Sequence, residues 1–250
     1  KLRFFISLVV DQKANNDPTK NFGIRPLPNL EAKFVAANSL IPLAKQEDSL
    51  GRTPDIITLE NKLKEANHKI FSAKTVRTKR KWKTILSELR TEMAEKLAEN
   101  GFSTASAANQ IASWDMFNQN SAASFFDADW MFGIKNGFDV VIANPPYVLL
   151  QNTSLSDNDK NRLVGLYYVA QYKVDLYHLF IEKGYRLLNE GGFLCYINPS
   201  NFLTNNYTDR LRHHILTDFC ANFIINITDN VFDACVNTCI IGLAKQEQVN

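Results

Sequence analysis

Residues 138–147 read FDVVIANPPY. The run Phe138–Ala143 is largely apolar, and it is bounded by Gly137 before it and by Asn144-Pro145 after it. A short apolar run between turn residues is typical of a strand that is buried on both faces of a sheet. The tetrapeptide Asn144–Tyr147 then lies at the carboxyl end of that strand, where ligands bind in open α/β sheets.

Strand and helix patterns alternate after this stretch. The predicted elements are, in chain order, the helix Asp175–Leu188, the strand Phe193–Asn198, the helix Thr208–Thr217 and the strands Asn222–Thr228 and Thr238–Ala244. Residues Asn189–Gly192 are expected to stop the first helix. This alternation predicts an α/β fold with a doubly wound, mostly parallel sheet, whose last two strands form a hairpin at its edge.

The segment before the deciding stretch has a helical character. One apolar stripe comprises Ile57, Leu59, Leu63, Ala66 and Ile70, and a second comprises Trp82, Ile85, Leu86, Leu89, Met93 and Leu97. Both stripes have helical spacing, and they predict a helical hairpin that begins near Pro54. We interpret residues 52–103 as a helical insertion within one catalytic domain that spans residues 1–250. Further upstream, Lys33–Ala37 is predicted as a short strand.

Composition excludes several classes of protein. The 250 residues carry a formal net charge of +2 with both signs interspersed, which argues against disorder and against nucleic-acid binding over the whole surface. No apolar stretch approaches the roughly twenty residues that a membrane span needs. The four cysteines lack metal-ligand spacing, so we expect no metal site, buried free thiols and a reducing cytoplasm. Lys1–Val10 is predicted to be the middle of a helix, as if the chain were part of a longer one.

The stretch 138–147 resembles the gamma-order adenine-specific DNA methyltransferases, which include the TaqI type and single-chain type II restriction-modification enzymes. The resemblance implies S-adenosyl-L-methionine as methyl donor and the exocyclic amine of a flipped adenine as acceptor. It also implies a Rossmann-like methyltransferase fold, here incomplete on its N-terminal side.

The chemistry of the tetrapeptide agrees with that role. The lone pair of adenine's amine is delocalised into the ring, so the amine is a poor nucleophile. If the side-chain oxygen of Asn144 and the carbonyl of Pro145 accept its two N–H bonds, the lone pair is freed. Pro145 and Pro146 would fix the loop in advance, and Tyr147 would stack on the flipped base. The plainer alternative is a turn that ends a strand.

Further segments share the resemblance. Asp175-Leu176-Tyr177 resembles the lining of the cofactor's adenine pocket, so Asn144, Asp175 and Tyr177 are candidate cofactor-binding residues. Leu188–Phe193 and Asn198–Ser200 resemble the next helix-turn-strand unit. Phe232 corresponds to an aromatic residue that sandwiches the flipped base against the tyrosine. A core phenylalanine is the alternative for Phe232.

The resemblance also extends upstream. Arg25–Leu30, Ala37–Leu40 and Phe125–Gly133 resemble segments of large restriction-methylation enzymes. Asn38 is a candidate contact to the cofactor's adenine, and a turn residue at a strand end is its alternative. One departure is serious, because the glycine-rich cofactor loop of the family is expected before Lys1. We therefore expect this polypeptide alone to be inactive or nearly so.

A basic run could bind DNA. Lys79, Arg80, Lys81 and Lys83 lie near the turn between the two predicted helices, where they are candidates for phosphate contacts. The alternative is solvated charge at a helix end.

The partners expected from the resemblance are double-stranded DNA and the target-recognition and nuclease domains of a parent chain, with no membrane. Whether the parent also cleaves DNA is left open. Two alternatives remain at this point. One is methylation of a protein glutamine or of RNA, because such enzymes also use Asn-Pro-Pro-Tyr. The other is a catalytically inert DNA-binding or assembly module.

Overall fold

The computed structural model describes residues 2–24, 34–43, 53–73, 75–99, 107–115, 117–118, 121–227 and 237–246. The chain divides into two compact units, Lys1–Gly133 and Ile134–Asn250. The predicted helical segment 52–103 lies within the first unit. Neither end of this segment coincides with the division between the two units, which falls after Gly133. Its description as an insertion stays a prediction.

Five α-helices account for most of the described residues of the first unit. Their bounds are α1 Leu2–Val10, α2 Pro54–Phe71, α3 Val76–Glu99, α4 Ala107–Ser113 and α5 Ala128–Phe132. The predicted strand over Lys33–Ala37 is reduced, among the described residues, to one isolated bridge between Ala37 and Ala123.

Helices α2 and α3 form the predicted helical hairpin. The side chain of Thr53 accepts a hydrogen bond from the N–H of Ile56, and Pro54 occupies the first turn, where its missing N–H costs nothing. The buried positions of α2 begin at Ile56, whereas Ile57 is 37% exposed. The prediction of Ile57 in the stripe is therefore wrong, and Ile56 takes its place.

The core of the first unit joins this hairpin to α4 and α5. Its buried side chains include Leu59, Leu63, Ile70, Leu86, Met93, Ile111, Trp114, Phe125, Trp130 and Met131. The rings of Trp114 and Trp130 meet edge to face at 5.8 Å. Lys64 forms an ion pair with Asp129, which fastens α2 to α5.

The second unit contains a four-stranded sheet and three α-helices among its described residues. The strands are β1 Phe138–Ala143, β2 Leu188–Pro199, β3 Phe219–Ile227 and β4 Thr238–Lys245. The helices are α6 Asp157–Leu166, α7 Leu176–Leu187 and α8 Asp209–Asp218.

The sheet has the order β1-β2-β4-β3. β1 and β2 are parallel, whereas β4 is antiparallel to both β2 and β3. β1, β2 and β3 therefore point the same way, and only β4 is reversed. This mixed sheet confirms the predicted α/β class and the hairpin at the edge.

The boundary between α7 and β2 differs from the prediction. Residues Asn189–Gly192, expected to be a turn, lie within β2. Register passes from Phe138 opposite Leu188 to Val140 opposite Phe193, so β2 carries extra residues there as a bulge. Gly137 has a φ of +89°, and a Cβ at this position would approach the backbone nitrogen of Asn189 to 2.6 Å.

Helices α7 and α8 cover one face of the sheet. Gly184 of α7 lies so close to β2 that a Cβ there would meet Leu194 and the hydroxyl of Tyr196. On the opposite face of β1, Val140 is 52% exposed and Ile142 is 75% exposed. The prediction that this strand is buried on both faces is therefore wrong for the described residues, and the doubly wound arrangement stays a prediction.

Two sequence predictions concern the thiols and the membrane. Cys239 is buried, whereas Cys195 is half-buried and Cys220 is exposed, so the expectation of buried thiols fails for Cys220. Cys235 lies outside the described residues. None of the helices over the described ranges is long and apolar enough to cross a membrane.

Candidate active site

The tetrapeptide Asn144–Tyr147 follows β1 directly. Asn144 is exposed at the carboxyl end of the strand, Pro145 is buried, Pro146 is exposed and Tyr147 is half-buried. The two prolines restrict the backbone dihedrals of the loop and leave it with fewer N–H donors of its own. A side-chain amide is thus presented to solvent on a rigid support.

Tyr147 is held by the neighbouring strand. Its hydroxyl donates a hydrogen bond of 3.0 Å to the carbonyl of Ile197, which lies near the carboxyl end of β2. The parallel pairing of β1 and β2 places both carboxyl ends at the same edge of the sheet. Burial raises the pKa of Tyr147, and the nearby Cys239 acts in the same direction. Tyr147 therefore keeps its proton and remains a hydrogen-bond donor at neutral pH.

The chain after Tyr147 pairs with the start of α7. The N–H of Leu176 donates to the carbonyl of Val148 at 2.9 Å, and the N–H of Leu150 donates to that of Val174 at 2.8 Å. These bonds bring Asp175, the N-cap residue of α7, beside the tetrapeptide. Burial raises the pKa of the Asp175 carboxyl. No side-chain capping bond uses that carboxyl in the described part of the chain.

Tyr177 lies underneath this loop. Its side chain is 0% exposed, and its hydroxyl donates a 2.7 Å hydrogen bond to Oδ1 of Asn201. Its ring meets the rings of Tyr147 at 6.4 Å and of His178 at 4.3 Å, both edge to face. Tyr177 therefore supports Tyr147 from within the core, and it offers no surface of its own to a ligand.

Sequence reasoning missed two asparagines near the end of β2. Asn201, the partner of Tyr177, follows β2 within a short 3-10 turn. Asn198 is 0% exposed, and neither Oδ1 nor Nδ2 of its amide finds a partner among the described residues. The partner of Asn201 is distant in sequence, so its position just after an apolar strand is the only signal that the sequence offers.

Two predicted site residues lie outside the described part of the second unit. Asn38 lies in the first unit, and its side-chain oxygen accepts the N–H of Leu40 at 3.2 Å, which is the geometry of a turn residue. Phe232 lies outside the described residues. Their predicted roles remain untested.

The basic run lies on α3, in the first unit. Arg80, Lys81 and Lys83 are exposed, and Lys79 is half-buried. The ammonium group of Lys83 lies 4.7 Å from the ring centre of Phe117, and that of Lys81 lies 5.7 Å from Trp82. This arrangement is compatible with phosphate binding and with solvated charge.

The chemistry available at the loop is hydrogen-bond acceptance beside an aromatic ring. Within the described ranges, no cluster of three or more His, Cys, Asp or Glu residues could hold a metal ion. The amide oxygen of Asn144 and the carbonyl of Pro145 are two acceptors on neighbouring residues. Such a pair suits a planar donor with two N–H bonds, such as an aromatic amine or an amide.

Comparison with protein families gives one extended match. The family model of the Eco57I restriction-modification methylases matches residues 1–232 of this chain. The tetrapeptide, the helix α7 and the strands β1 to β3 all fall within the matched range.

Individual relatives match about half of the chain. It is 30% identical over 116 residues to the type II restriction enzyme and methyltransferase RM.Eco57I of Escherichia coli, which is 45% of this chain and 12% of that protein. It is 29% identical over 123 residues to the type II methyltransferase M.AccI of Acinetobacter calcoaceticus, which is 48% of this chain and 22% of that protein. The matched part thus spans about a tenth to a fifth of these relatives.

Among solved structures, one that is similar to this chain is the ATP-dependent type ISP restriction-modification enzyme LlaBIII bound to DNA. Its TM-score to this chain is 0.38 at 14% identity, over 80% of this chain and 19% of that protein.

Proposed function

Since this chain belongs to the Eco57I restriction-modification methylase family, we propose that it is part of an enzyme that methylates adenine in double-stranded DNA. The methyl donor is S-adenosylmethionine, and the acceptor is the exocyclic amine of an adenine flipped out of the duplex. The supporting observation is the tetrapeptide at the carboxyl end of β1, with Asn144 exposed and Tyr147 tied to Ile197.

Asn144 and Pro145 activate the amine by accepting its hydrogens. The side-chain oxygen of Asn144 takes one N–H bond, and the carbonyl oxygen of Pro145 takes the other. Both acceptors draw the nitrogen toward tetrahedral geometry, so its lone pair becomes available. Because the prolines fix the loop beforehand, little reorganisation is needed when the base arrives. No strong general base is then required at the nitrogen.

Tyr147 holds the flipped base by stacking. A ring whose hydroxyl is fixed by Ile197 and whose edge rests on Tyr177 has few orientations open to it. A preoriented ring loses little entropy on binding, which favours capture of a base that has left its duplex.

The described residues fit part of a site for the methyl donor. The Asp175 carboxyl is half-buried beside the tetrapeptide and makes no side-chain hydrogen bond in the described part of α7 or its surroundings. An acceptor of this kind suits a hydroxyl or an amine of the donor's adenosine. When bound, S-adenosylmethionine supplies the electrophilic methyl group. Asp175 would hold the adenosine end, and Tyr177 would act through Tyr147.

The proposal also covers the DNA-cleaving activity of the longer parent protein. The name of RM.Eco57I joins a restriction enzyme and a methyltransferase in one chain. We extend the proposal accordingly: target recognition and DNA cleavage belong to other parts of the parent protein.

Methyl transfer by the complete parent enzyme tests the function. The assay follows radiolabel from S-adenosylmethionine into mixed-sequence DNA for the wild type, for Asn144→Ala and for Asn222→Ala. Asn222 is an exposed asparagine of β3 and serves as the matched control. We expect Asn144→Ala to lose transfer and Asn222→Ala to keep it, while both retain DNA binding. Label in protein or RNA, but not in DNA, would support a different substrate class.

A further inference from the structure

An open groove of about 730 Å³ is lined by residues of the second unit that follow the Asn-Pro-Pro-Tyr segment in the chain, beginning with Leu150. Leu150 and Val174 belong to its lining, and they are joined by the backbone hydrogen bond from Leu150 to Val174. Leu150 is three residues after Tyr147 in the chain, and Val148, between them, accepts a backbone hydrogen bond from Leu176 in the same pairing.

Among the charged residues that line the groove, cations outnumber carboxylates. Lys160, Lys173 and Arg210 line it, against one carboxylate, that of Asp157. The side chain of Asp157 is 98% exposed and lies 4.0 Å from Lys160, so water screens much of its charge. The groove therefore favours an anion.

Two other carboxylates near the groove are already engaged. Asp159 accepts a hydrogen bond from the hydroxyl of Ser156 at 2.7 Å, in the N-terminal cap of α6. Asp209 accepts one from the side-chain amide of Gln171 at 2.7 Å. Neither carboxylate is a lining residue of the groove. Lys160 donates a hydrogen bond to the carbonyl of Gln151 at 3.2 Å, and Arg210 interacts electrostatically with Asp209. Each of the three cations has further N–H donors that a ligand can use.

The backbone presents Lys173 in an unusual conformation. Its φ is +56°, in the left-handed region that few residues other than glycine adopt. Two hydrogen bonds from Arg210 hold the loop before Lys173 against α8. The guanidinium of Arg210 donates to the carbonyl of Ala170, and its backbone N–H donates to Oε1 of Gln171, both at 3.4 Å. Such a conformation persists only where the surroundings fix it, and it is found often at binding sites.

Exposed tyrosines surround the cations. Tyr172 is 62% exposed and meets Tyr207, which is 48% exposed, at a ring distance of 5.0 Å. Tyr168 is 53% exposed, and the guanidinium of Arg210 lies 5.7 Å from its ring centre. Aromatic rings interleaved with cations are typical of surfaces that bind nucleic-acid strands, where bases stack and phosphates pair with charge.

We propose that this groove binds the phosphodiester backbone of the DNA strand next to the base held by Tyr147. Lys160, Lys173 and Arg210 pair with phosphate oxygens, and Tyr172 packs on the adjoining nucleotide. This inference rests on the proposed function, because it takes DNA as the substrate. It adds a strand-binding subsite that is separate from the residues that activate the amine.

The salt dependence of DNA binding by the complete enzyme tests the subsite. Lys173→Asn removes the charge while asparagine tolerates the left-handed backbone, and Lys173→Gln is a second variant. The matched control is Arg162→Gln, because Arg162 is exposed on α6 but does not line the groove. The measurement is the dissociation constant for a mixed-sequence duplex, by fluorescence anisotropy over a series of salt concentrations.

Each Lys173 variant should make the slope of log affinity against log salt shallower by about 0.9, the value for one lost phosphate contact. The affinity at low salt should fall several-fold, and Arg162→Gln should match the wild type. Equal slopes for wild type, Lys173→Asn and Arg162→Gln would overturn the subsite and leave the proposed function standing. A wild-type enzyme that binds no DNA at any salt concentration would overturn both.

Discussion

The hydroxyl of Tyr147 donates a 3.0 Å hydrogen bond to the carbonyl of Ile197, and so joins the loop after β1 to the end of β2. The bond orients the ring, while the ring itself provides the stacking surface. These two contributions can be separated by substitution.

Tyr147→Phe removes the hydroxyl and keeps the ring, whereas Tyr147→Ala removes both. A single hydrogen bond contributes about 0.5–1.5 kcal/mol, and stacking on a base contributes about 1–3 kcal/mol. We expect Tyr147→Phe to slow methyl transfer only slightly and Tyr147→Ala to slow it about 5- to 150-fold. Initial rates at low DNA concentration measure the difference. Equal rates for the two variants would argue against stacking.

Asp175→Asn should weaken the binding of S-adenosylmethionine about tenfold or more, because a hydrogen bond to a charged acceptor is replaced by a weaker one. Affinity for DNA should stay the same. Equilibrium dialysis of the complete enzyme gives the dissociation constant for the donor. Asp157→Asn, at a carboxylate that is 98% exposed, is the control, and an equal effect in both variants would refute the role of Asp175.

Gly184→Ala should destabilise the protein by about 1–3 kcal/mol, because its Cβ would lie 2.7 Å from the hydroxyl of Tyr196. Gly165→Ala is the matched control, since a Cβ at that helical position meets nothing within 4 Å. The control should be neutral or gain up to about 1 kcal/mol from better helix propensity. Urea unfolding of both variants measures the free energies. Similar values would mean that α7 does not pack closely on β2.

Stability should depend on pH through His178. Burial lowers the pKa of His178 to about 4 from its usual 6.5. Between pH 6.5 and 4 the unfolded chain therefore binds a proton that the folded chain does not. Stability should fall as the pH falls through this window, by at most about 1.4 kcal/mol per pH unit. His178→Gln should flatten the dependence relative to the wild type in urea unfolding at several pH values. An unchanged slope would contradict a buried, neutral His178.

Sequence predicted the elements of the second unit well. β1 begins and ends where the apolar run does, because Gly137 and Asn144-Pro145 favour turns and so mark the two ends of the strand. Helix α6 was missed, although Ser156 and Asp159 give a recognisable capping pattern. The burial of β1 was misjudged, since an apolar run does not reveal which of its faces is covered.

The tetrapeptide of the site could be predicted from the sequence, but the contacts that hold it in place could not. Asn144 and Tyr147 can be identified as site residues from the sequence, because they belong to a distinctive motif at the end of a predicted strand. Their supports do not, because Ile197 contributes only a backbone carbonyl and Tyr177 works through its burial. The sequence pattern predicts Tyr177 as a cofactor contact, whereas packing in three dimensions leaves its side chain 0% exposed. Helix phase explains the exchange of Ile57 for Ile56, since one residue shifts a side chain by about 100°.

Nucleoside analysis of the methylated DNA identifies the base that receives the methyl group. The complete enzyme is incubated with labelled S-adenosylmethionine and mixed-sequence duplex DNA, and the digested nucleosides are separated. We expect the label in adenine methylated on its exocyclic amine, and we expect it to disappear with Asn144→Ala. Label in cytosine, or adenine label that persists in Asn144→Ala, would contradict this expectation.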